Sequence, residues 1–62
     1  MRETIGQRIR AERKAKGWTQ RELSAAMNYT EAYVSNVERG EYLPSSRALL
    51  AFERALKVRL VK

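Results

Sequence analysis

The chain has 62 residues, 13 basic and 7 acidic side chains, and a net charge of +6. It contains no cysteine, histidine or aspartate, which excludes disulfide frameworks, Cys/His zinc fingers, cysteine nucleophiles and histidine acid–base chemistry. A chain of this length reads as a single domain, 1–62, with a marginal hydrophobic core, so it must fold on local propensity and helix packing and act by binding.

The 44% hydrophobic and 32% charged fractions are those of an ordinary globular domain. No stretch approaches the ~20 apolar residues of a membrane span, and no signal-peptide core is present, so a cytoplasmic location is expected. The basic excess points to a polyanion, nucleic acid first and an anionic membrane surface second. Residues 1–17 carry six bases against two acids, +4 of the +6 total, and the remaining 45 residues carry only +2.

Helix signals follow one another along the chain, with no strand pattern. Thr4 and Gln7 form a capping-box pair ahead of Ile5 and Ile9, and Gly17 stands at the expected left-handed stop, giving a first helix over about 3–16. Gly6 lies inside this helix at a cost of roughly 1 kcal/mol relative to alanine. Thr19 and Glu22 make a second capping box, followed by Leu23 and Met27 as the buried stripe of a short helix ending at Asn28, a residue tolerant of left-handed backbone. Thr30 caps a third helix with Val34 and Val37 on its apolar side, and Gly40 stops it. After a loop containing Pro44, Ser45 or Ser46 caps a fourth helix with the stripe Leu49, Leu50, Phe52, Glu53 and Leu56. The tail Val58-Arg59-Leu60-Val61 fits either the start of a fifth helix or a short strand.

Two short helices joined by a turn of about three residues have the geometry of a helix-turn-helix. Here that unit spans about 19–39. Leu23, Met27, Tyr29, Val34 and Val37 are placed to wedge the two helices together, Ser24 is small where they cross, and Asn28 occupies the turn. Three segments, Gly17-Trp18-Thr19-Gln20-Arg21-Glu22-Leu23, Val34-Ser35-Asn36-Val37-Glu38-Arg39-Gly40 and Pro44-Ser45, then carry a resemblance to the Cro/CI-like (XRE) helix-turn-helix family of repressors and regulators. The likeness runs over roughly residues 5–58. It departs from the family pattern at Asn28 (a usual glycine), at Ser24 (a usual alanine whose replacement brings a hydroxyl needing a partner), and at the chain end, where the family continues through a complete fifth helix.

The resemblance implies an all-α fold, a compact lambda-repressor-like bundle of four to five short helices. It also implies a sequence-specific double-stranded DNA-binding transcriptional regulator, a repressor in the first instance. Its third helix, about 30–39, would enter the major groove with Glu31, Ala32, Tyr33, Ser35 and Asn36 as base readers. Asparagine can bond the N6 and N7 edge of adenine, glutamate can accept from the cytosine amino group, and Ala32 or Tyr33 can pack on a thymine methyl. Glu31 equally fits an exposed acid in the first turn, favoured by the helix dipole. In this family the glutamine at the start of the second helix bonds a backbone phosphate, which assigns that role to Gln20. Arg10, Arg21, Arg39, Ser45 and Arg47 are further phosphate candidates, with Tyr42 able to add a hydroxyl. The family also pairs an arginine of the first helix with a glutamate near the end of the third, here Arg13 and Glu38, making them scaffold.

A homodimer on a pseudo-palindromic operator is expected because one monomer makes few contacts, with Leu56, Val58, Leu60 and Val61 as candidate dimer residues. The competing reading is a small helical protein–protein interaction module whose basic surface meets an acidic partner. A membrane-surface role fits poorly, since the apolar stripes are used by the core. No cofactor, metal or small-molecule substrate is implied, and catalysis lacks paired carboxylates or an activated nucleophile.

Overall fold

Each helix begins where a hydroxyl side chain can satisfy an amide left open by the first turn. In the computed structural model, which describes residues 3–60, this happens four times. Thr4, Thr19, Thr30 and Ser45 accept from the backbone N–H of Gln7, Glu22, Tyr33 and Ala48, and open α1 (Ile5–Ala15), α2 (Gln20–Met27), α3 (Glu31–Glu38) and α4 (Ser46–Leu56). At Thr4 and Thr19 the capping box is reciprocal, with Gln7 and Glu22 accepting from the cap residue's own N–H at 2.8 Å. The choice between Ser45 and Ser46 is settled: Ser45 is the cap.

The stops are left-handed residues. Gly17 (φ 75°), Asn28 (φ 62°) and Gly40 (φ 81°) close the first three helices. Asn28 therefore does the work of the glycine that the resemblance would place there. Lys57 (φ 58°) ends α4 in the same conformation, a stop that the sequence pattern does not announce.

Ile9, Leu23, Met27, Val34, Val37, Phe52 and Leu56 form the core, with Ala48 also fully buried. Each helix contributes to it: α2 packs against α3 and α4, and α1 against α3. Burying a side chain of this size stabilises by about 1.5–3 kcal/mol relative to leaving it in water.

The stripe expected on α4 holds at Phe52 and Leu56 but not at Leu49 and Leu50. The buried row is Ala48, Phe52 and Leu56, four residues apart, whereas Leu49 and Glu53 lie at its edge and Leu50 is 46% exposed. Leu56 is also corrected as a dimer residue, because it is wholly enclosed in the core. Val58 and Leu60 are half-buried against that core, and Val61 lies outside the described residues. The tail up to Leu60 is neither helix nor strand. It is pinned to α4 by Glu53, whose carbonyl accepts from the Val58 N–H and whose carboxylate accepts from the Leu60 N–H at 2.7 Å. No helix is long and apolar enough to cross a membrane among the described residues.

Gly6 has a tertiary reason. A Cβ at this position would lie 2.2 Å from the carbonyl oxygen of Val37 and 3.0 Å from that of Glu38. Both are backbone atoms at the end of α3, so neither can step aside as a flexible side chain would. Gly6 thus lets α1 touch the last turn of α3.

Helix propensity alone favours Gly6→Ala by roughly 1 kcal/mol, but overpacking against fixed atoms typically costs about 1–3 kcal/mol. The collision is severe enough to decide the sign. Gly6→Ala should be less stable than the parent in urea denaturation, with a lower midpoint despite its better helix residue.

Candidate nucleic-acid interface

The geometry of α2 and α3 is set by the turn between them. Asn28 takes the left-handed backbone, and the Tyr29 N–H returns to the Ser24 carbonyl at 2.9 Å, reversing the chain within three residues. The Ser24 hydroxyl donates to the Arg21 carbonyl at 2.9 Å, so the polar atom that serine brings to the crossing is satisfied within its own helix. Among the described residues no buried side-chain nitrogen or oxygen lacks a partner.

With Val34, Val37 and Glu38 facing inward, helical periodicity turns Ala32, Ser35, Asn36 and Arg39 to the other side as one row. Ala32 and Arg39 are exposed, Ser35 and Asn36 half-exposed, and Glu31 lies exposed in the first turn. Four of the five side chains assigned to base reading are therefore presented on or beside one outward strip.

Tyr33 is the exception. Its ring stacks on Phe52 with centroids 6.5 Å apart and lies between Tyr29 (5.0 Å) and Tyr42 (6.0 Å). It joins α3 to α4 and to the loop between them, so much of its surface is used in packing and only its rim can face outward. Burial raises the phenol above the ordinary tyrosine range and the nearby Tyr29 adds to the rise, while the Ser45 backbone N–H, donating to the phenol oxygen, opposes it.

A second cluster lies behind the strip. Arg13 donates from Nε to Glu38 Oε2 at 2.7 Å and from Nη2 to Oε1 at 3.1 Å, a two-pronged pair with both side chains under a tenth exposed. The remaining prong, Nη1, donates to the Trp18 carbonyl at 2.7 Å. Gln20 Nε2 donates to Glu38 Oε1 at 3.0 Å. Gln20, given a phosphate role by resemblance, is thus turned towards the carboxylate, leaving one amide proton and its carbonyl for anything outside.

The other phosphate candidates divide by what already holds them. Arg10, Arg21 and Arg47 are exposed and make no ion pair among the described residues. Ser45 uses its oxygen as the α4 cap, with its hydroxyl proton left to donate. Arg39 donates to the side-chain oxygens of Ser35 and Asn36 and pairs with Glu41 at 3.4 Å. That Arg39 engages two candidate base readers was not legible from spacing, although position 39 lies three and four residues after them. Tyr42, whose hydroxyl was expected to assist the phosphate contacts, is half-exposed, and Leu43 beside it is 86% exposed in the α3–α4 loop.

The helix-turn-helix family model matches residues 9–62. The chain belongs to the Cro/CI-like (XRE) helix-turn-helix family. Among its relatives, the immunity repressor of Bacillus phage phi105 is 39% identical over 57 residues, covering 92% of this chain and 40% of the repressor. The HTH-type transcriptional regulator DicA of Escherichia coli K12 is 41% identical over 54 residues, covering 87% and 40%. The P22 c2 repressor in complex with a synthetic operator superposes with a TM-score of 0.89 at 32% identity, over 95% of this chain and 89% of that one. SinR, a master regulator for biofilm formation, in complex with DNA, gives 0.86 at 34% identity over 92% of each chain. This helix-turn-helix chain spans about 30–40% of the length of its first curated relatives.

The buried cluster and the exposed pair behave oppositely on truncation. Glu38→Ala leaves the Arg13 guanidinium enclosed without its partner and should destabilise by on the order of 3–5 kcal/mol. Glu41→Ala, removing a pair in water, should change stability by less than about 1 kcal/mol. Thermal denaturation of the two variants side by side separates them.

Tyr33 gives a pH signature. Its folded pKa lies above the unfolded value of 10.0, so its contribution is complete below pH 10.0 and is lost as pH rises through the folded pKa. Denaturant melts between pH 9 and 11 should show the parent losing more stability than Tyr33→Phe over the alkaline half of that range.

Proposed function

We propose that this chain binds double-stranded DNA sequence-specifically as a transcriptional regulator, a repressor in the first instance, by laying α3 in the major groove. The observation that carries this reading is the outward strip of α3. Ala32, Ser35, Asn36 and Arg39 form an outward row, polar at three of its four positions, opposite the buried Val34–Val37 ridge, on a helix held by a short turn through the left-handed Asn28. An α-helix of about 10–12 Å diameter fits a major groove of about 12 Å. Two related structures, those of the P22 c2 repressor and SinR, contain operator or DNA.

In this reading Glu31, Ala32, Ser35 and Asn36 meet base edges, and the rim of Tyr33 contributes an apolar contact. Arg10, Arg21 and Arg47 bind phosphates, joined by the Ser45 hydroxyl and the remaining amide proton of Gln20. These contacts position the helix and supply a salt-dependent attraction without reading sequence. Two copies would occupy a pseudo-palindrome with half-sites ~34 Å apart, with Val58 and Leu60 at the dimer contact in place of the enclosed Leu56. With DNA as its target, the location that goes with this reading is the cytoplasm.

The test is selection from random duplex DNA, followed by titration of the selected site at several salt concentrations. Affinity should fall steeply with salt while the site keeps its advantage over random duplex. Asn36→Ala should abolish preference at one base pair, at a cost of about 1–3 kcal/mol, whereas Arg21→Ala should weaken all sequences alike and reduce the salt slope by about 1. If no duplex is enriched, the reading as a module for an acidic protein partner replaces this one.

A further inference from the structure

We propose that Arg39 is a positioning residue that sets which base Asn36 selects, turning the α3 strip into a hydrogen-bond donor surface suited to guanine. This rests on the DNA-binding reading above and specifies its recognition chemistry.

Arg39 lies one turn beyond Ser35 and Asn36 on the same row of α3 and reaches both with one guanidinium: Nη1 donates to Ser35 Oγ and Nη2 to Asn36 Oδ1. The guanidinium is held from the far side by Glu41, whose carboxylate oxygens accept from Nε at 3.4 Å and from Nη2 at 3.5 Å. The carbonyl of Asn36 accepts in turn from the N–H groups of Glu41 (2.9 Å) and Tyr42 (3.3 Å), which fixes the backbone on which the cluster is built.

A guanidinium has five donors and no acceptor, and this determines the polarity of what it touches. The Asn36 amide can meet it only through oxygen, so the amide cannot flip, and Nδ2 with its two protons points away from Arg39. Ser35 likewise gives its oxygen to the guanidinium, and its hydroxyl proton points elsewhere. Both side chains therefore offer donors to an approaching base. In the major groove guanine presents two acceptors, N7 and O6, adenine one acceptor and one donor, and cytosine a donor alone. An unrestrained asparagine would use both its oxygen and its amino group on adenine. With Oδ1 turned to Arg39 and one of its two lone pairs taken, the amide presents its two protons ahead of its oxygen, so guanine becomes the better match and cytosine the poorest.

The same residue could serve instead as a plain phosphate contact or could itself read a base, and these roles separate by experiment. The base pair concerned is defined as the one at which Asn36→Ala abolishes preference. Duplexes differing only there are titrated against the parent, Arg39→Ala and Arg39→Lys, after matched thermal melts establish that each variant is folded. The parent should prefer guanine over adenine by roughly tenfold, within the discrimination a two-bond base contact supplies. Arg39→Ala should move the preference to adenine. Arg39→Lys should do the same, because an ammonium keeps the charge but lacks the planar fork that holds two oxygens at once.

A uniform loss of affinity on all duplexes, with Arg39→Lys behaving like the parent, overturns the proposal in favour of a phosphate contact. Loss of preference with no move to adenine overturns it in favour of direct reading by Arg39. A parent that already prefers adenine also overturns it, while leaving the DNA-binding reading intact. Failure of the parent to enrich any duplex removes that underlying reading instead.

Discussion

Everything in this small domain converges on one carboxylate. Glu38 sits at the last position of α3, nearly enclosed, and receives three donors: two from Arg13 of α1 and one from Gln20 at the first position of α2. Arg13 also holds the Trp18 carbonyl, in the link between α1 and α2. Three elements and a loop are thereby registered against a single group. A buried ion pair of this kind contributes little net stability compared with an apolar replacement of equal shape. Its effect here is directional, because the two-pronged geometry admits one relative placement of α1 and α3 and so fixes the angle at which the outward face of α3 is presented.

The buried ion pair and the exposed row lie on opposite sides of α3. Val34, Val37 and Glu38 belong to the fold, and Ala32, Ser35, Asn36 and Arg39 belong to the surface. Substitutions along the outer row leave the core contacts untouched. Tyr33 violates this division, stacked on Phe52 and flanked by two further tyrosines, so that a change there touches both stability and contact. The net charge of +6 indicates a class of partner, but the outer strip contains a single charged side chain, and that one is already paired.

Much of this was legible in the sequence because the governing interactions are local. A hydroxyl three residues ahead of the amide it accepts from is a pattern that can be read from Thr4, Thr19 and Thr30 without tertiary information, and the left-handed stop at Asn28 follows from its side chain alone. The core ridge of α2 and α3 came from spacing. What the sequence left obscure is tertiary. On α4 the leucines pointed to Leu49 and Leu50, whereas packing buried the smaller Ala48 in register with Phe52 and Leu56. Periodicity fits both rows, and only the neighbouring helices choose between them. Leu56 looked available at the end of an apolar stripe and is instead enclosed. On the outer strip, the outward placement of Ala32, Ser35 and Asn36 could be read from the spacing of Val34 and Val37, but the orientation of the Asn36 amide depends on Arg39 and on Glu41 beyond the helix end, which no spacing rule supplies.

Gly6 carries a consequence for how the domain comes apart. A glycine near the start of an eleven-residue helix makes that helix a poor former in isolation, and short helices are marginal in water in any case. The gap that the missing side chain leaves is filled by the backbone of α3 at Val37 and Glu38. The first turn of α1 therefore exists on the strength of contacts made by residues some thirty positions later in the chain. Such a segment has no independent unit of structure to retain when α3 departs, so its amides should open together with the whole domain and not by fraying from the amino end.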